Sequence, residues 1–239
     1  MNFLEVAFLI IIFLTNIIQA ITGFAGTVLA MPPSLRLVGP DIAKPVLNLA
    51  AVVICVYVVI THFKDIDWIG FLKMALTVGI GFGLGFAVER LPLNKEILLK
   101  IYGIIIVSIA LFYMAFDVSK AKIPKPVLYL CLFFGGLLHM LYVSGGPLVV
   151  IFAMKTFKEK NKFRATLSLM WIVLNMIMFA EHVAFGLFTP HVWILFAIAF
   201  VISIVSYIIG HHLAKKLNLE TFMKITYVLL FISGFSLIL

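Results

Sequence analysis

Long unbroken apolar runs, rather than alternating ones, set the pattern of this chain. Eight such runs, at about 3–23, 44–63, 68–88, 97–116, 126–143, 164–186, 190–211 and 221–239, are separated by short polar or proline-marked junctions. A helix needs about 20 mostly apolar residues to cross a bilayer, and each run is close to that length. An outer-membrane barrel would show alternating polarity over stretches of roughly ten residues. The pattern therefore predicts an all-α polytopic membrane protein of about eight transmembrane helices. The junctions are too short to hold a soluble domain.

Two junctions contain glycine and fall at matching places. One reads Thr22-Gly23-Phe24-Ala25-Gly26, the other Val143-Ser144-Gly145-Gly146-Pro147. An interrupted helix frees backbone N–H and C=O groups, which lipid tolerates only where they line a cavity or meet a ligand. Paired interruptions in the two halves of a membrane protein therefore point to a transport site. Residues 3–38 as one helix would be roughly 54 Å long against a hydrocarbon core of about 30 Å. Some bend or excursion is required there, either a kinked long helix or a re-entrant pair.

Shifting the first half by 120 residues superimposes further features. Gln19 falls on His139, Gly26 on Gly146, Lys44 on Arg164, Asn48 on Ser168 and His62 on His182. Later the shift is 124, placing Lys100 on Lys224. This predicts two four-span repeats, residues 1–120 and 121–239, with helices 1 and 5 broken. Four crossings return the chain to its starting side, so the repeats are expected to be parallel, a parity that changes if the breaks double back.

Composition agrees with the membrane assignment. The chain is 64% hydrophobic and 12% charged, with a mean hydropathy of +1.22, whereas soluble domains are nearer half apolar and a quarter charged. Eight crossings place Arg36, Lys44, Arg90, Lys95, Lys100, Lys155, Lys158, Lys160, Lys162, Arg164, Lys215, Lys216 and Lys224 on one side. Lys64, Lys73, Lys120, Lys122 and Lys125 fall on the other. The positive-inside rule puts the first group in the cytoplasm and both termini on the extracytoplasmic side of a cell membrane. The net charge of +8 is thus a topology signal and not a nucleic-acid surface. The N-terminal run carries Glu5 and no preceding cation, which reads as span 1 and not as a cleaved signal.

Several chemistries lack a motif. Cys55 and Cys131 lie inside spans and read as small buried residues. There is no zinc-type Cys/His spacing, no calcium-type carboxylate cluster and no nucleotide loop. No cofactor, metal or enzymatic activity is expected.

The chain resembles the sulfite exporter TauE/SafE family of transporters. The carriers are Gly23-Phe24-Ala25-Gly26 followed by Pro32-Pro33-Ser34-Leu35, and Ser144-Gly145-Gly146-Pro147 followed by a basic loop and Arg164-Ala165-Thr166-Leu167-Ser168-Leu169. The likeness extends over essentially the whole chain. It implies transport of small sulfur-containing or organic anions such as sulfite, thiosulfate or sulfonates.

The residues suit an anion. Helix N-termini near Gly26 and Gly146 offer N–H groups and a positive dipole end. Gly23 and Gly145 let the backbone approach a ligand, and Thr22, Thr27 and Ser144 add hydroxyls. Lys44 and Arg164 bring charge, as ligands, as an electrostatic funnel, or as helix-end topology signals. Gln19 and His139 lie within spans, where polar groups face the bundle interior. Asn16, Asn48, Ser168 and Asn175 are weaker candidates of that kind, and Trp171 reads as core. His139 and Glu181 are the coupling candidates if transport follows a proton. His62, Glu181 and His182 read as exposed positions at outer helix ends. The reading is an ion-coupled secondary transporter with alternating access about a midplane site. A passive anion channel is the alternative, and an assembly subunit a third. The partners expected are a small anion and the lipid bilayer, with homo-oligomerisation left open.

Overall fold

The computed structural model describes residues 2–22, 25–116, 122–214 and 219–239. Gly23, Phe24, Lys120, Lys215 and Lys216 lie outside these. The described residues form ten α-helices: α1 (Phe3–Thr22), α2 (Gly26–Val38), α3 (Pro40–Thr61), α4 (Trp68–Glu89), α5 (Lys95–Ala115), α6 (Lys125–Tyr142), α7 (Gly146–Thr156), α8 (Lys160–Ala184), α9 (Pro190–Ala214) and α10 (Leu219–Ile238). Seven are long and apolar enough to cross a membrane. The expected all-α polytopic class is what is found. The eight expected runs are α1, α3, α4, α5, α6, α8, α9 and α10. The short α2 and α7 follow the two breaks.

Pairings along the helices fix their directions. Glu5, Asn16 and Ala20 of α1 meet His191, Ser203 and Gly210 of α9 in order, so α1 and α9 run parallel. Gly81 and Gly85 of α4 meet Phe133 and Met140 of α6, another parallel pair. Asn48 of α3 meets Asn175 of α8, while Asp67 just past α3 meets Thr166, so this pair is antiparallel. Gly103 of α5 sits against Leu237 and Ile106 against Gly234, making α5 and α10 antiparallel. We call the face where α1 begins and α10 ends the near face. Successive helices then alternate from near to far, α2 and α7 included.

That alternation corrects the expected parity. Both breaks double back. A Cβ on Gly26 would collide with the Gln19 side chain, and Arg36 at the end of α2 reaches the Ser236 carbonyl at the near face, 2.9 Å away. A Cβ on Gly135 of α6 would lie 2.7 Å from the Val149 side chain of α7. A kinked helix would separate residues spaced this way by more than a turn. Each half thus contains five helical segments instead of four crossings, and the second half starts from the far face.

Local chemistry explains the reversals. Thr22 Oγ1 donates to the Ile18 carbonyl and accepts from Ala25 N–H, closing the first tip. At the second tip Val143 ends α6 in the left-handed region, φ 53° and ψ 28°. That conformation is rare for a β-branched residue and costs on the order of 1–3 kcal/mol. Pro147 at the second position of α7 suits a helix start because its missing N–H is not needed there. The return helices hold 13 and 11 residues, roughly 20 and 16 Å.

Packing relies on close backbone approach. Cβ atoms on Gly81 and Gly136 would collide with the carbonyls of Phe133 and Val78, so α4 and α6 touch through their glycines. Small residues permit this in lipid, where van der Waals contact replaces the hydrophobic effect between helices. The outward faces of α4, α9 and α10 carry exposed Leu, Ile, Val and Phe, as lipid contact requires.

Candidate anion site between the hairpin tips

Two helical hairpins, α1–α2 from the near face and α6–α7 from the far face, overlap at mid-depth. Between them lies a small cavity lined by Gln19, Thr27, Ala51, Cys55, His139, Gly146, Trp171 and Asn175. Ala51 and Cys55 sit at the middle of α3, Trp171 and Asn175 at the middle of α8. The 120-residue shift pairs Gln19 with His139, Ala51 with Trp171 and Cys55 with Asn175. Matching positions from the two halves thus face one another across the cavity.

The polar atoms here are buried and incompletely bonded. Gln19, His139 and Asn175 are 7%, 4% and 1% exposed. His139 Nε2 and Asn175 Oδ1 are 2.7 Å apart, joining α6 to α8. Among the described residues, Gln19 Oε1, His139 Nδ1 and Asn175 Nδ2 have no hydrogen-bond partner. Buried polar atoms are nearly always satisfied, so three such atoms at one cavity mark a place for a ligand or water. Trp171 stacks on the His139 ring, with centroids 4.9 Å apart, and the Phe82 ring centroid lies 6.5 Å from that of His139. The first N–H groups of α2 and α7 start at Gly26 and Gly146, beside the cavity. No Lys, Arg, Asp or Glu lines it among the described residues.

The residues read from sequence are distributed as follows. Gln19, Thr27, His139 and Gly146 line the cavity. Gly26 packs on Gln19, and Gly145 packs on Gly135 and the His139 Cβ. Ser144 is buried and donates to the Tyr142 carbonyl at 2.7 Å. Thr22 closes the first tip, as above. Asn48 donates to the Asn175 carbonyl at 2.9 Å, bracing α3 against α8, and Ser168 is buried on α8. Gly23 lies outside the described residues.

The two cations stand away from the cavity, at opposite faces. Lys44 pairs with Glu89 at the near face and lies over the Tyr142 ring, 5.8 Å from its centroid. Tyr142 in turn stacks on Tyr102 at 4.1 Å. Arg164 donates to Tyr207 Oη at 3.0 Å at the far face. Glu181 lies at the near end of α8, roughly 9 Å along the helix from Asn175.

Burial differs from expectation at His182, which is 4% exposed because the last turn of α8 faces the bundle. His62 pairs with Asp65 at 3.0 Å at the opposite face. Sequence reasoning passed over Ala51 and Cys55 as ordinary apolar residues. The signal that finds them is their shift partner, since each pairs with a cavity residue of α8. Trp171, read as core, is half of the aromatic wall.

The chain matches no curated protein and no solved structure. The family model for the sulfite exporter TauE/SafE matches residues 8–237, nearly the whole chain. The protein belongs to the TauE/SafE sulfite exporter family, a family of membrane transporters of sulfite or related anions.

Proposed function

We propose that this protein is a secondary transporter that carries a small sulfur-containing or organic anion, such as sulfite, thiosulfate or a sulfonate, through the cavity between the hairpin tips. The observation that carries the reading is the convergence of two helix N-termini and three unpartnered buried polar atoms at one mid-membrane point. Helix N-termini stabilise anions through free N–H groups and the helix dipole. Broken helices meeting near the midplane are a recurrent way to build such sites.

Residues 1–120 and 121–239 act in this proposal as inverted repeats. The pairing of α1 with α9 mirrors that of α6 with α4, and α3–α8 and α5–α10 pair with their own counterparts. The two tips then plug opposite exits. Beyond His139 the second tip continues toward the near face, where Tyr142 is held by Tyr102 and Lys44. Beyond Gln19 the first tip continues toward the far face. Retracting one tip at a time gives alternating access, and coupling to an ion gradient gives direction.

Charge supports an orientation in a cell membrane. Among the described residues, Lys64, Lys73, Lys122, Lys125, Lys155, Lys158, Lys160, Lys162, Arg164 and Lys224 lie at far-face helix ends. Arg36, Lys44, Arg90, Lys95 and Lys100 lie at near-face ends. Nine of these cations change sides relative to a simple eight-crossing count: Arg36, Lys44, Arg90, Lys95 and Lys100 leave the more basic side, Lys64, Lys73, Lys122 and Lys125 join it, and an excess remains there. The far face is then cytoplasmic and both termini are extracytoplasmic.

The test is uptake of labelled sulfite, thiosulfate and methanesulfonate into proteoliposomes, with Gly146→Leu in parallel. The proposal expects saturable uptake of at least one anion, abolished when the leucine fills the cavity. Linear, unsaturable flux would point to a passive channel. Uptake unaffected by Gly146→Leu would remove the cavity from the path.

A further inference from the structure

His139 and Asn175 hydrogen-bond to each other, and that bond limits what they offer a ligand. If imidazole Nε2 carries the proton, it donates to Asn175 Oδ1. Nδ1 is then a bare acceptor and Asn175 Nδ2 a free donor. If the amide is turned over, Asn175 Nδ2 donates to Nε2, leaving Nδ1–H as donor and Oδ1 as acceptor. With a neutral imidazole, both arrangements present one donor and one acceptor to the cavity. A deprotonated oxyanion only accepts, so the acceptor would face it unpaired. Leaving a buried polar group so costs about 1–3 kcal/mol.

One added proton removes the mismatch. On the imidazole, it makes both ring nitrogens donors while Asn175 Oδ1 takes Nε2–H. On the anion, it supplies an O–H that donates to Nδ1. Either way the His139–Asn175 pair closes only around an anion together with one proton. The charge balance agrees. A lone anion in an uncharged, buried lining loses its hydration without a counter-charge, a cost of several kcal/mol. A monoanion with a proton is neutral overall, which accounts for a cavity without Lys or Arg.

The groups facing His139 are Phe82 from α4, Trp171 and Asn175 from α8, and Gly145 just before α7. Gln19 from α1 and Cys55 from α3 share the cavity. Of these only Cys55 titrates besides His139 itself. We propose that the loaded cavity holds one proton with each anion, seated at the His139–Asn175 pair, so that this protein moves its anion by proton symport. The inference rests on the anion-transport reading above and names its coupling ion and the seat of that ion.

The test uses purified full-length protein titrated with methanesulfonate, which stays ionised throughout the neutral range and has no proton to bring. Affinity is measured by calorimetry from about pH 6 to 8, in buffers of different ionisation enthalpy that report proton uptake. Linkage predicts about one proton taken up per anion bound and affinity weakening about tenfold per pH unit. His139→Gln should bind, if it folds, with no proton uptake and no pH dependence. The wild-type proton count decides the matter even if that variant fails to fold. Binding with pH-independent affinity and no proton uptake overturns the symport and leaves the anion site standing. No binding of methanesulfonate, sulfite or thiosulfate by folded protein overturns both.

Discussion

Replacing Gly145 with Ala adds one methyl group at the point where α7 turns back on α6. That methyl would collide with the Gly135 carbonyl oxygen and lie 2.8 Å from its carbon and 2.9 Å from His139 Cβ. These atoms belong to backbone or to the root of a side chain, so no rotamer change relieves the clash. The hairpin must open. Overpacking of this kind costs about 1–3 kcal/mol. Alanine returns about 0.5–1 kcal/mol of chain entropy, because Gly145 has an ordinary φ of −71°. The net loss is about 0–2.5 kcal/mol, which lowers Tm by up to roughly 10 °C in a chain of this size. Gly79 is the control. A Cβ there meets nothing within 4 Å, so Gly79→Ala should hold or raise Tm by a few degrees, at most about 4 °C. Thermal unfolding of both variants in one detergent is the assay. A Tm for Gly145→Ala raised above the parent's, as for Gly79→Ala, would refute the hairpin packing.

Three further outcomes follow from the same geometry. Asn48→Ala removes the bond that ties α3 to the Asn175 carbonyl and should cost on the order of 1 kcal/mol in thermal unfolding, as interhelical bonds in membranes do. Lys44→Met breaks a pair whose partners are 13% and 33% exposed, so it should change stability by at most about 1 kcal/mol. If Lys44 only anchors Glu89 and Tyr142, the KM for uptake changes less than about tenfold (about 1.4 kcal/mol), and a hundredfold rise would place the anion on Lys44. For orientation, a cysteine at Arg90 should react with an impermeant thiol reagent on intact cells, and one at Lys158 only after permeabilisation. The reverse pattern would invert the assigned topology.

The helices were legible because lipid imposes one simple rule, about 20 apolar residues per crossing, and the eight runs obey it. The breaks were legible through glycine and proline. The doubling back was not, because return helices of 13 and 11 residues read equally well as helix extensions or loops. That ambiguity decided the orientation of the halves. Gln19 and His139 stood out as polar residues in apolar runs and do reach one cavity. Lys44 and Arg164 stood out equally, yet Glu89 and Tyr207 hold them at helix ends. A charge marks a helix end as readily as a ligand, and only tertiary partners separate the two. Ala51 and Cys55 carry no polar signal at all. Their place follows from facing Trp171 and Asn175 across α3 and α8, which is information about packing.

Cys55 offers the most direct test of the central claim that the anion binds between the hairpin tips. It lines the cavity, and Cys131 is the chain's only other cysteine. In a Cys131→Ala background, the rate of Cys55 modification by a small thiol reagent is followed as methanesulfonate is raised. The account predicts that modification slows, with half-protection at the concentration that half-inhibits labelled sulfite uptake. An unchanged rate at concentrations that fully block that uptake would place the anion elsewhere in the protein.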